Sequence, residues 1–424
     1  MAPTAAPDML IPGVEDVVAD AAAHPVSGTE DHTMVLNMGP QHPSTHGVLR
    51  LVLEIDGESI ISLAPDIGYL HTGIEKTCEA KFYQQVVPLT DRIDYLCPMT
   101  NNLAYCLAVE KLLALEIPER AQILRVLLNE LTRIQSHLVW LGTHAMDIGA
   151  LTMFLYCWRE REDILRIFEA VSGQRMMTSY FRIGGLALEP PMGFYKSVQD
   201  FLDIMPGRID QYENLLTGNP IWIGRLQGVG TLTAAEAISL GVTGPPLRAS
   251  GVDWDLRRDM PYSGYEKFKF NVPTSQVGDV WARYVVRIQE MRESVKICQQ
   301  AMEMLAAMPR DTPAYRIVAD APKIVLPDRE QMKTQMESLI HHFKIVTEGF
   351  AVPAGEVYQA VESPRGEMGY YVVSDGTAKP YRVHMRNPSF ATLQALETMC
   401  KGRLLADVVA VIGSIDIVLG EIDR

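Results

Sequence analysis

The sequence predicts an α+β fold, in which a mainly helical bundle carries small antiparallel sheets contributed by the N-terminal and C-terminal parts of the chain. Two runs of alternating apolar residues, near 49–61 and at 369–385, have the period of two that strands require. Between them, apolar residues recur every three or four positions over long stretches, which indicates amphipathic helices. Strands near both ends and helices in the middle favour this fold class over an alternating α/β arrangement.

The first strands belong to a predicted β-rich segment over residues 34–70. Apolar residues alternate from Leu49 to Ile55, Asp56-Gly57 supplies a turn, and Ile60-Ile61 begins the return strand. The preceding segment GPQHPSTHG (39–47) is predicted to be a loop, because glycine and proline punctuate it.

Residues 1–33 are predicted to form a flexible, acidic leader arm. The arm is rich in Ala, Pro and Asp, and residues 1–49 contain no Lys or Arg. Transit peptides are Arg-rich and poor in acids, so this composition is not that of a targeting signal.

A helical core is predicted over residues 71–350. Pro118 is expected to stop the first long helix, and Gly173 is expected to cap the third. The stretch 241–278 is dense in Gly and Pro and is predicted to be an ordered loop packed on the helices. The predicted helices cover 100–117, 119–147, 151–172, 194–215, 279–308 and 328–348.

Residues 351–424 are predicted to pack on this core as a β-hairpin, a helix and a tail. The hairpin turns at Asp375-Gly376, the helix lies near 389–402, and the tail that follows is apolar. Apolar surface of this kind is costly to leave in water, so the tail and the loop 241–278 favour a large interface with a partner chain.

Composition and charge exclude several classes of protein. The chain has 424 residues, 47% of them hydrophobic, and a formal net charge of −14, which argues against a general nucleic-acid-binding role. The best membrane-span candidate, 404–420, is interrupted by Asp407 and Asp416, so membrane association is expected to require a partner. The six cysteines form no C-x-x-C pair, which favours a reducing, cytoplasmic compartment.

A short glycine motif could be mistaken for a nucleotide-binding loop. Gly228 and Gly230 precede a helical stretch, but Thr233 stands where a third glycine would be needed. Thr233 and Glu236 instead have the spacing of a capping box, which opens an ordinary helix. No dinucleotide site is therefore predicted.

Two groups of polar residues are candidates for a site. His42 and His46 are four apart, but they lie in a proline-containing loop, where a histidine pair is more often structural or hydrogen-bonding than metal-ligating. His137, Trp140, His144 and Asp147 share one face of the predicted helix 119–147. Their ordinary interpretation is a polar seam between packed helices, and the functional alternative is a site beside an apolar cavity.

Six segments resemble the quinone-site (D-type) subunit of NADH:quinone oxidoreductase, the respiratory complex I family. The resemblance covers about residues 34–424 in order and leaves out the arm. The segments are GPQHPSTHGVLRLVLEIDGE (39–58), HTGIEKTCE (71–79), DRIDYLCPMTNNLAY (91–105), LNELTRIQSHLVWLGTHAMDIGA (128–150), GVTGPPLRASGVDWDLRRDMPY (241–262) and ESPRGEMGYYVVSDG (362–376).

This family is similar in turn to the large subunit of nickel–iron hydrogenases, which hold their metals with one C-x-x-C pair near each end. Here DYLC (94–97) retains only Cys97 of the first pair, and IDIVLGEIDR (415–424) contains no cysteine near the second. A soft-metal site needs thiolates, so this chemistry excludes a metal site and hydrogenase activity. The resemblance implies a nickel–iron hydrogenase-like fold whose vacated pocket receives a quinone.

Site residues follow from the resemblance, position by position. It implies that His46 and Tyr95 flank the quinone headgroup and that Asp147 is the acidic partner of His46. Tyr and His can each donate a hydrogen bond to a quinone oxygen, and a carboxylate on the other ring nitrogen would favour a positive His46. His42 is a second candidate for the headgroup, and the alternative that it caps its loop is equally open.

The resemblance also implies a setting. It predicts no cofactor in this chain, a quinone substrate, and electrons from an iron–sulfur cluster in a neighbouring subunit. Expected partners are that cluster-bearing subunit, a C-type neighbouring subunit and the membrane subunit at the quinone entrance, with no nucleic acid, on the cytoplasmic face of a bacterial inner membrane. Two alternatives are a membrane-bound hydrogenase-type large subunit, which the missing cysteines disfavour, and a non-catalytic scaffold subunit, which would not need both His46 and Tyr95.

Overall fold

The computed structural model describes residues 33–424 and has the predicted α+β architecture, a helical bundle flanked by small antiparallel sheets. The predicted leader arm over 1–33 lies outside the described residues, apart from Thr33, which begins the first strand. Within the described part, every helix is too short or too polar to cross a lipid bilayer.

The N-terminal sheet has three strands in the order β1-β2-β3: β1 (Thr33–Met38), β2 (Arg50–Asp56) and β3 (Ser59–Asp66). The predicted hairpin of β2 and β3 is confirmed, and Leu53 of β2 lies opposite Leu63 of β3. Strand β1, which pairs with the other edge of β2, was not predicted. The loop 39–47 connects β1 to β2 and contains a short 3-10 helix.

Helices fill the middle of the chain and return near its end. The predicted helices 119–147 and 151–172 are confirmed, and Gly173 ends the second one with a left-handed φ of 75°. The helices are α1 (Ile74–Ala80), α2 (Tyr83–Thr90), α3 (Pro98–Leu112), α4 (Glu119–Asp147), α5 (Leu151–Ser172), α6 (Phe194–Leu216), α7 (Pro220–Leu226), α8 (Ala234–Ser239), α9 (Pro245–Ala249), α10 (Leu256–Asp259), α11 (Val280–Ala307), α12 (Arg329–Thr334), α13 (Met336–Glu348), α14 (Pro388–Gln394), α15 (Leu396–Cys400), α16 (Leu405–Ile415) and α17 (Leu419–Asp423).

Several predicted helices differ from the structure at their ends or in the middle. Helix α3 ends at Leu112 rather than 117, because Ala114 adopts a left-handed φ of 48° well before Pro118 can act. The predicted helix 328–348 is divided at Gln335, whose backbone is extended. The predicted helix 389–402 is two short helices, α14 and α15. The capping box of Thr233 and Glu236 is confirmed at the start of α8.

Two further sheets follow along the chain. A two-stranded sheet, β4 (Phe181–Arg182) with β5 (Gly185–Leu186), lies between α5 and α6 in sequence. The C-terminal sheet has the order β6-β7-β8: β6 (Gly355–Ser363), β7 (Gly366–Ser374) and β8 (Arg382–Arg386). The predicted hairpin around Asp375-Gly376 corresponds to β7 and β8, and β6 adds a third strand that was not predicted.

The apolar tail packs on the core, as predicted, but it is helical rather than extended chain left for a partner. Residues 405–423 form α16 and α17, and most of their apolar side chains are buried inside this same chain. Trp140 of α4 donates from Nε1 to the carbonyl of Gly413 (2.7 Å), and a Cβ on Gly413 would lie 2.2 Å from Nδ1 of His144. The absence of a side chain at Gly413 therefore allows α16 to pack directly on α4.

The loop 241–278 is also packed into the chain, as predicted. It contains α9 and α10, and residues 242–250 are all buried. Because this chain itself covers the tail and much of the loop, these two places do not support the predicted large partner interface, which stays a prediction.

Candidate functional site

The loop 39–47 holds its shape through its own hydrogen bonds. The side chain of His42 accepts from the backbone N–H of Ser44 (3.2 Å) and caps the 3-10 helix Pro43–Thr45, and the hydroxyl of Thr45 donates to the carbonyl of His42 (3.0 Å). Gly39 lies so close to β2 that a Cβ there would be 2.1 Å from the carbonyl oxygen of Leu49. His42 therefore does cap the loop, which is one of its two predicted roles.

His46 follows this short helix with a left-handed φ of 55°. Residues other than glycine rarely adopt this conformation, which costs on the order of 1–3 kcal/mol and persists mainly where function requires it. The His46 side chain is exposed, yet protein surrounds it closely enough that burial, and then the positive charge of Arg365, lower its pKa to about 4. His46 is therefore neutral near pH 7, with one N–H to donate.

Tyr95 lies in the turn that precedes α3. The carboxylate of Asp94 accepts from the backbone N–H groups of Leu96 (3.0 Å) and Cys97 (3.3 Å) and so fixes this turn. Tyr95 is half-buried, and burial, followed by the nearby charge of Asp94, raises its pKa, which keeps the phenol protonated. Among residues 33–424, no group is hydrogen-bonded to its hydroxyl. The hydroxyl is thus available to an outside acceptor.

Arg365 occupies the region where the two cysteine pairs of a hydrogenase would meet. It lies in the turn between β6 and β7 and forms an ion pair with Asp94, and its Nε donates to the backbone carbonyl of Asp416 (2.7 Å). Its Nη2 is 3.3 Å from Oδ1 of Asp416, and Nη1 is 3.8 Å from the sulfur of Cys97. A fixed guanidinium therefore lies beside the single remaining cysteine.

Glu421 of α17 completes this group, since the charges of Asp94 and Arg365 both act on its pKa. We call Asp94, Arg365, Asp416 and Glu421 the site cluster. The sequence analysis assigned no role to any of the four. The available signal was indirect: Arg365 and Glu421 lie in the segments ESPRG and VLGEID, Asp94 stands where the first cysteine of the N-terminal pair would be, and Asp416 lies in the segment 415–424 near the second pair.

Arg365 links the two residues implied to flank the quinone. Its charge acts on the pKa of both His46 and Tyr95, lowering each, so the two side chains lie around one cation. The N-terminal hairpin and two helices separate them in the sequence, from position 46 to position 95. The structure therefore brings the two implied headgroup residues into one electrostatic environment.

Asp147 is the last residue of α4 and is half-buried. Within residues 33–424, no hydrogen bond joins it to His46, which was its expected partner. Burial raises the pKa of Asp147, and His42 acts on that pKa in the opposite direction. Asp147 therefore lies within electrostatic reach of His42, while burial and Arg365 hold the pKa of His46 below its ordinary value.

The other polar residues of this helix face are parts of the packing. His137 bonds Oε2 of Glu290 through Nε2 (2.9 Å), although burial lowers its pKa to about 4. His144 is buried with neither ring nitrogen bonded within the described chain, stacks on Trp140 (5.6 Å between centroids) and meets Trp222 edge-on (5.4 Å). Burial lowers the pKa of His144 to about 3, so it is a neutral core residue.

A second group of buried charges lies in the bundle between α4, α11, β6 and the loop 241–278. Arg248 joins Glu290 (Nη2 to Oε1, 2.5 Å) to Glu362 (Nη1 to Oε1, 2.7 Å), and Arg257 joins Asp255 to Glu130. We call this group the core cluster. Its charged members are Glu130, Arg133, Arg248, Asp255, Arg257, Glu290 and Glu362.

In residues 33–424, no group of three or more His, Cys, Asp or Glu side chains has the arrangement of a metal site. Cys97 is fully buried, and burial, followed by the charge of Asp94, raises its pKa well above the ordinary value, so the thiol is protonated.

These features define a class of protein. The helical bundle with three small antiparallel sheets is the α+β architecture that the resemblance to nickel–iron hydrogenase large subunits predicted. Residues 147–424 match the family model described as the 49-kDa subunit of respiratory-chain NADH dehydrogenase. The chain belongs to this family, as the resemblance predicted.

Individual relatives agree over nearly the whole length. The chain is 73% identical to the second D-type NADH-quinone oxidoreductase subunit of Koribacter versatilis, over 93% of this chain and 97% of the relative. It is 65% identical to the first D-type subunit of the same enzyme in Solibacter usitatus (98% and 99% covered). The first D-type subunit of Roseiflexus castenholzii is 59% identical, with 100% of both chains covered.

Proposed function

We propose that this chain is the quinone-site subunit of a proton-pumping NADH:quinone oxidoreductase and that His46 and Tyr95 hold the quinone headgroup. The observation that carries the proposal is the Tyr95 hydroxyl, which is protonated, half-buried and without a hydrogen-bond partner in the described chain. A protonated hydroxyl without a protein partner, on a half-buried tyrosine that shares the charge of Arg365 with an exposed histidine, is suited to bind a ligand oxygen.

The proposed chemistry adds two electrons and two protons to a quinone. Tyr95 donates a hydrogen bond to one quinone oxygen, and neutral His46 donates one from its N–H to the other. Both bonds strengthen as the oxygens gain negative charge, so they stabilise the reduced molecule more than the oxidised one. The guanidinium of Arg365, whose charge already acts on both side chains, favours the same build-up of negative charge.

Asp147 and His42 have supporting roles in this proposal. Asp147 stabilises a positive charge in the loop 39–47. The loop residue with which it interacts electrostatically in this structure is His42. If the loop moves when a quinone binds, the same carboxylate is available to His46, as the family resemblance implies.

Electrons reach the quinone from outside this chain in the proposed assembly. An iron–sulfur cluster in a neighbouring subunit supplies them one at a time. The other proposed neighbours are a C-type subunit and the membrane subunit at the quinone entrance. In this arrangement the chain is peripheral and lies on the cytoplasmic face of a bacterial inner membrane.

Tyr95→Phe tests the proposal, because it removes the hydroxyl and keeps the ring. We expect quinone turnover to fall by on the order of 10-fold to 1000-fold, by analogy with the loss of a single oxyanion-hole donor. Membranes from the variant would be assayed with NADH and a short-chain quinone, and again with NADH and a soluble artificial acceptor. The second reaction should be unchanged, because electron entry takes place on other subunits.

Tyr381→Phe provides a matched control, because this tyrosine is 68% exposed and lies just before β8, outside the site cluster. A wild-type rate with quinone in Tyr95→Phe would contradict the proposed site and favour the scaffold alternative. A parallel loss of both reactions would instead show damaged assembly, and an intact complex would then have to be purified before the two rates are compared.

A further inference from the structure

Glu421 is a buried carboxyl group that is only half satisfied. This residue of α17 is fully buried. Its Oε2 accepts hydrogen bonds from the hydroxyl (2.5 Å) and the backbone N–H (3.3 Å) of Ser389. Its Oε1 is buried and has no hydrogen-bond partner within the described residues. An ionised carboxylate in such a buried place would normally accept hydrogen bonds at both oxygens. Leaving one oxygen unbonded costs less free energy when the group is a neutral carboxylic acid.

The charges around Glu421 do not balance. Asp94, Asp416 and Glu421 are three buried acids, and Arg365 is the cation that forms ion pairs with the first two. Arg287 also acts on the pKa of Asp416, which brings the count to two cations for three acids. The remaining titratable groups near Glu421 are Tyr95, Cys97 and Tyr370, which are neutral when protonated.

When a buried cluster of acids has excess negative charge, binding a proton neutralises it at the lowest cost in free energy. Asp94 forms an ion pair with Arg365 and accepts from two backbone N–H groups, and Asp416 is contacted by Arg365 through Oδ1, while its Oδ2 has no partner among the described residues. Glu421 has hydrogen bonds from Ser389 alone, so it is the acid at which the proton is held. Burial, and then the charge of Asp94, raise the pKa of Glu421 to about 8.

Glu421 lies within electrostatic reach of Tyr95. The carboxyl group is near enough for its charge to raise the pKa of Tyr95, and Asp94, which acts on the pKa of both groups, immediately precedes Tyr95. A Cβ at Gly420 would be 2.6 Å from the carbonyl oxygen of Ile93, so α17 is packed directly on the turn that carries Tyr95.

We propose that Glu421 is an internal proton store that reprotonates Tyr95 after each quinone reduction. The proposal rests on the function proposed above. When the reduced quinone oxygen takes the phenolic proton, Tyr95 becomes a phenolate. The O–H bond of Glu421 then breaks, and its proton passes through water to form a new O–H bond on Tyr95. Glu421 then takes a proton from solvent. The electrons come from the neighbouring iron–sulfur cluster, so the store supplies protons only.

The test uses Glu421→Gln in the assembled complex, in membranes, with NADH and a short-chain quinone between about pH 6 and pH 9. Gln has nearly the same shape and keeps an oxygen for Ser389, but it has no proton to give. We expect quinone turnover at pH 7 to be about 10-fold to 100-fold lower. Wild-type turnover should decline as the pH rises through about 8, where Glu421 loses its proton, and the variant should show no such decline.

Ser389→Ala is the second variant, and it keeps Glu421. The hydrogen bond from Ser389 lowers the pKa of Glu421, so its removal should move the alkaline decline to higher pH while turnover at pH 7 stays near the wild-type value. Glu397→Gln, an exposed acid on α15, is the control and should leave the profile unchanged.

Each outcome decides a separate point. Wild-type turnover and an unchanged pH profile in Glu421→Gln, together with a selective loss in Tyr95→Phe, would overturn the proton store and leave the quinone site in place. Full turnover in Tyr95→Phe would instead overturn the proposed function. If Glu421→Gln fails to assemble, as judged with the artificial acceptor, an unshifted decline in Ser389→Ala overturns the store and a shifted one supports it.

Discussion

Two buried clusters of charged residues meet at the turn between β6 and β7, and they differ in how completely their carboxylate oxygens are hydrogen-bonded. Glu362 at the end of β6 belongs to the core cluster, and Arg365, three residues later, belongs to the site cluster. In the core cluster, both oxygens of Glu130, Glu290 and Glu362 accept hydrogen bonds. In the site cluster, one oxygen each of Asp416 and Glu421 accepts none among the described residues.

The pKa shifts also differ between the clusters, with one exception: burial raises the pKa of Glu362, although this residue belongs to the core cluster. Although burial alone would raise the pKa of Glu290, Arg248 and His137 lower it, so this carboxylate is ionised at every working pH. In the site cluster, burial outweighs the cations and raises the pKa of Asp416 and Glu421. A satisfied cluster stiffens the fold, whereas an acid-rich cluster with free oxygens retains protons and can exchange them.

The largest expected effect comes from breaking the core cluster. Arg248→Met should lower the free energy of unfolding by about 3–5 kcal/mol, because Glu290 and Glu362 would be left buried without their cation. The subunit should then be lost from the complex, as measured by the amount of assembled complex on native gels. Arg258→Met removes a 40%-exposed arginine with its own ion pairs and should have little effect. Equal assembly in both variants would contradict the comparison.

A smaller and pH-dependent effect is expected when the site cluster loses its cation. In Arg365→Met, Asp94 and Asp416 can respond by binding protons, so the fold should tolerate the change better than it tolerates Arg248→Met. Acids whose folded pKa is raised stabilise the fold below their unfolded pKa and lose that contribution as the pH rises through the folded value. The variant should therefore be destabilised, relative to wild type, by up to about 3 kcal/mol more at pH 8 than at pH 6.

Thermal unfolding of the purified complex at the two pH values would measure this difference. The same loss at both values would mean that the acids of the site cluster do not take up protons. Quinone turnover of Arg365→Met should fall at both pH values, because the cation that acts on His46 and Tyr95 is gone.

The smallest expected effect concerns Asp147, which belongs to neither cluster. A carboxylate at the C-terminal end of a 29-residue helix faces the negative end of the helix dipole, so it is present at a cost to stability. Asp147→Asn should raise the free energy of unfolding by about 0.3–1 kcal/mol and lower quinone turnover. Denaturant unfolding and the quinone assay on the same preparation would show the two changes together. A variant that is both less stable and fully active would contradict a functional role for Asp147.

The sequence predicts well those parts whose signals are local. Helices α4 and α5 have regular apolar spacing and clear end residues, and their predicted bounds are the observed ones. The loop with His42 and His46 is marked by its prolines and glycines. The hydrogenase-like fold class and the family follow from motifs that lie in order along the chain, and the family model and the relatives confirm them.

The missed features depend on contacts between distant residues. Helix α16 is apolar on nearly all sides because it is enclosed by the bundle, so its sequence resembles a tail rather than an amphipathic helix. Arg365 has an unremarkable position in the sequence, and its role comes from Asp94 and Asp416. Asp147 was expected beside His46, but in the folded chain it is His42 whose charge acts on it. The spacing of residues along the sequence does not show such contacts between distant residues.

The ion pairs of Arg365 span 271 positions of the sequence to Asp94 and 51 positions to Asp416. Contacts over such separations form late in folding, because the entropy of closing long loops must be met before the contact contributes. Local helices such as α4 require no such closure, whereas the site cluster is complete only when the turn before α3, the C-terminal sheet and the last helices are packed together. In a partly folded chain the four residues of the site cluster are consequently not in contact. The proposed proton transfer therefore requires the complete fold.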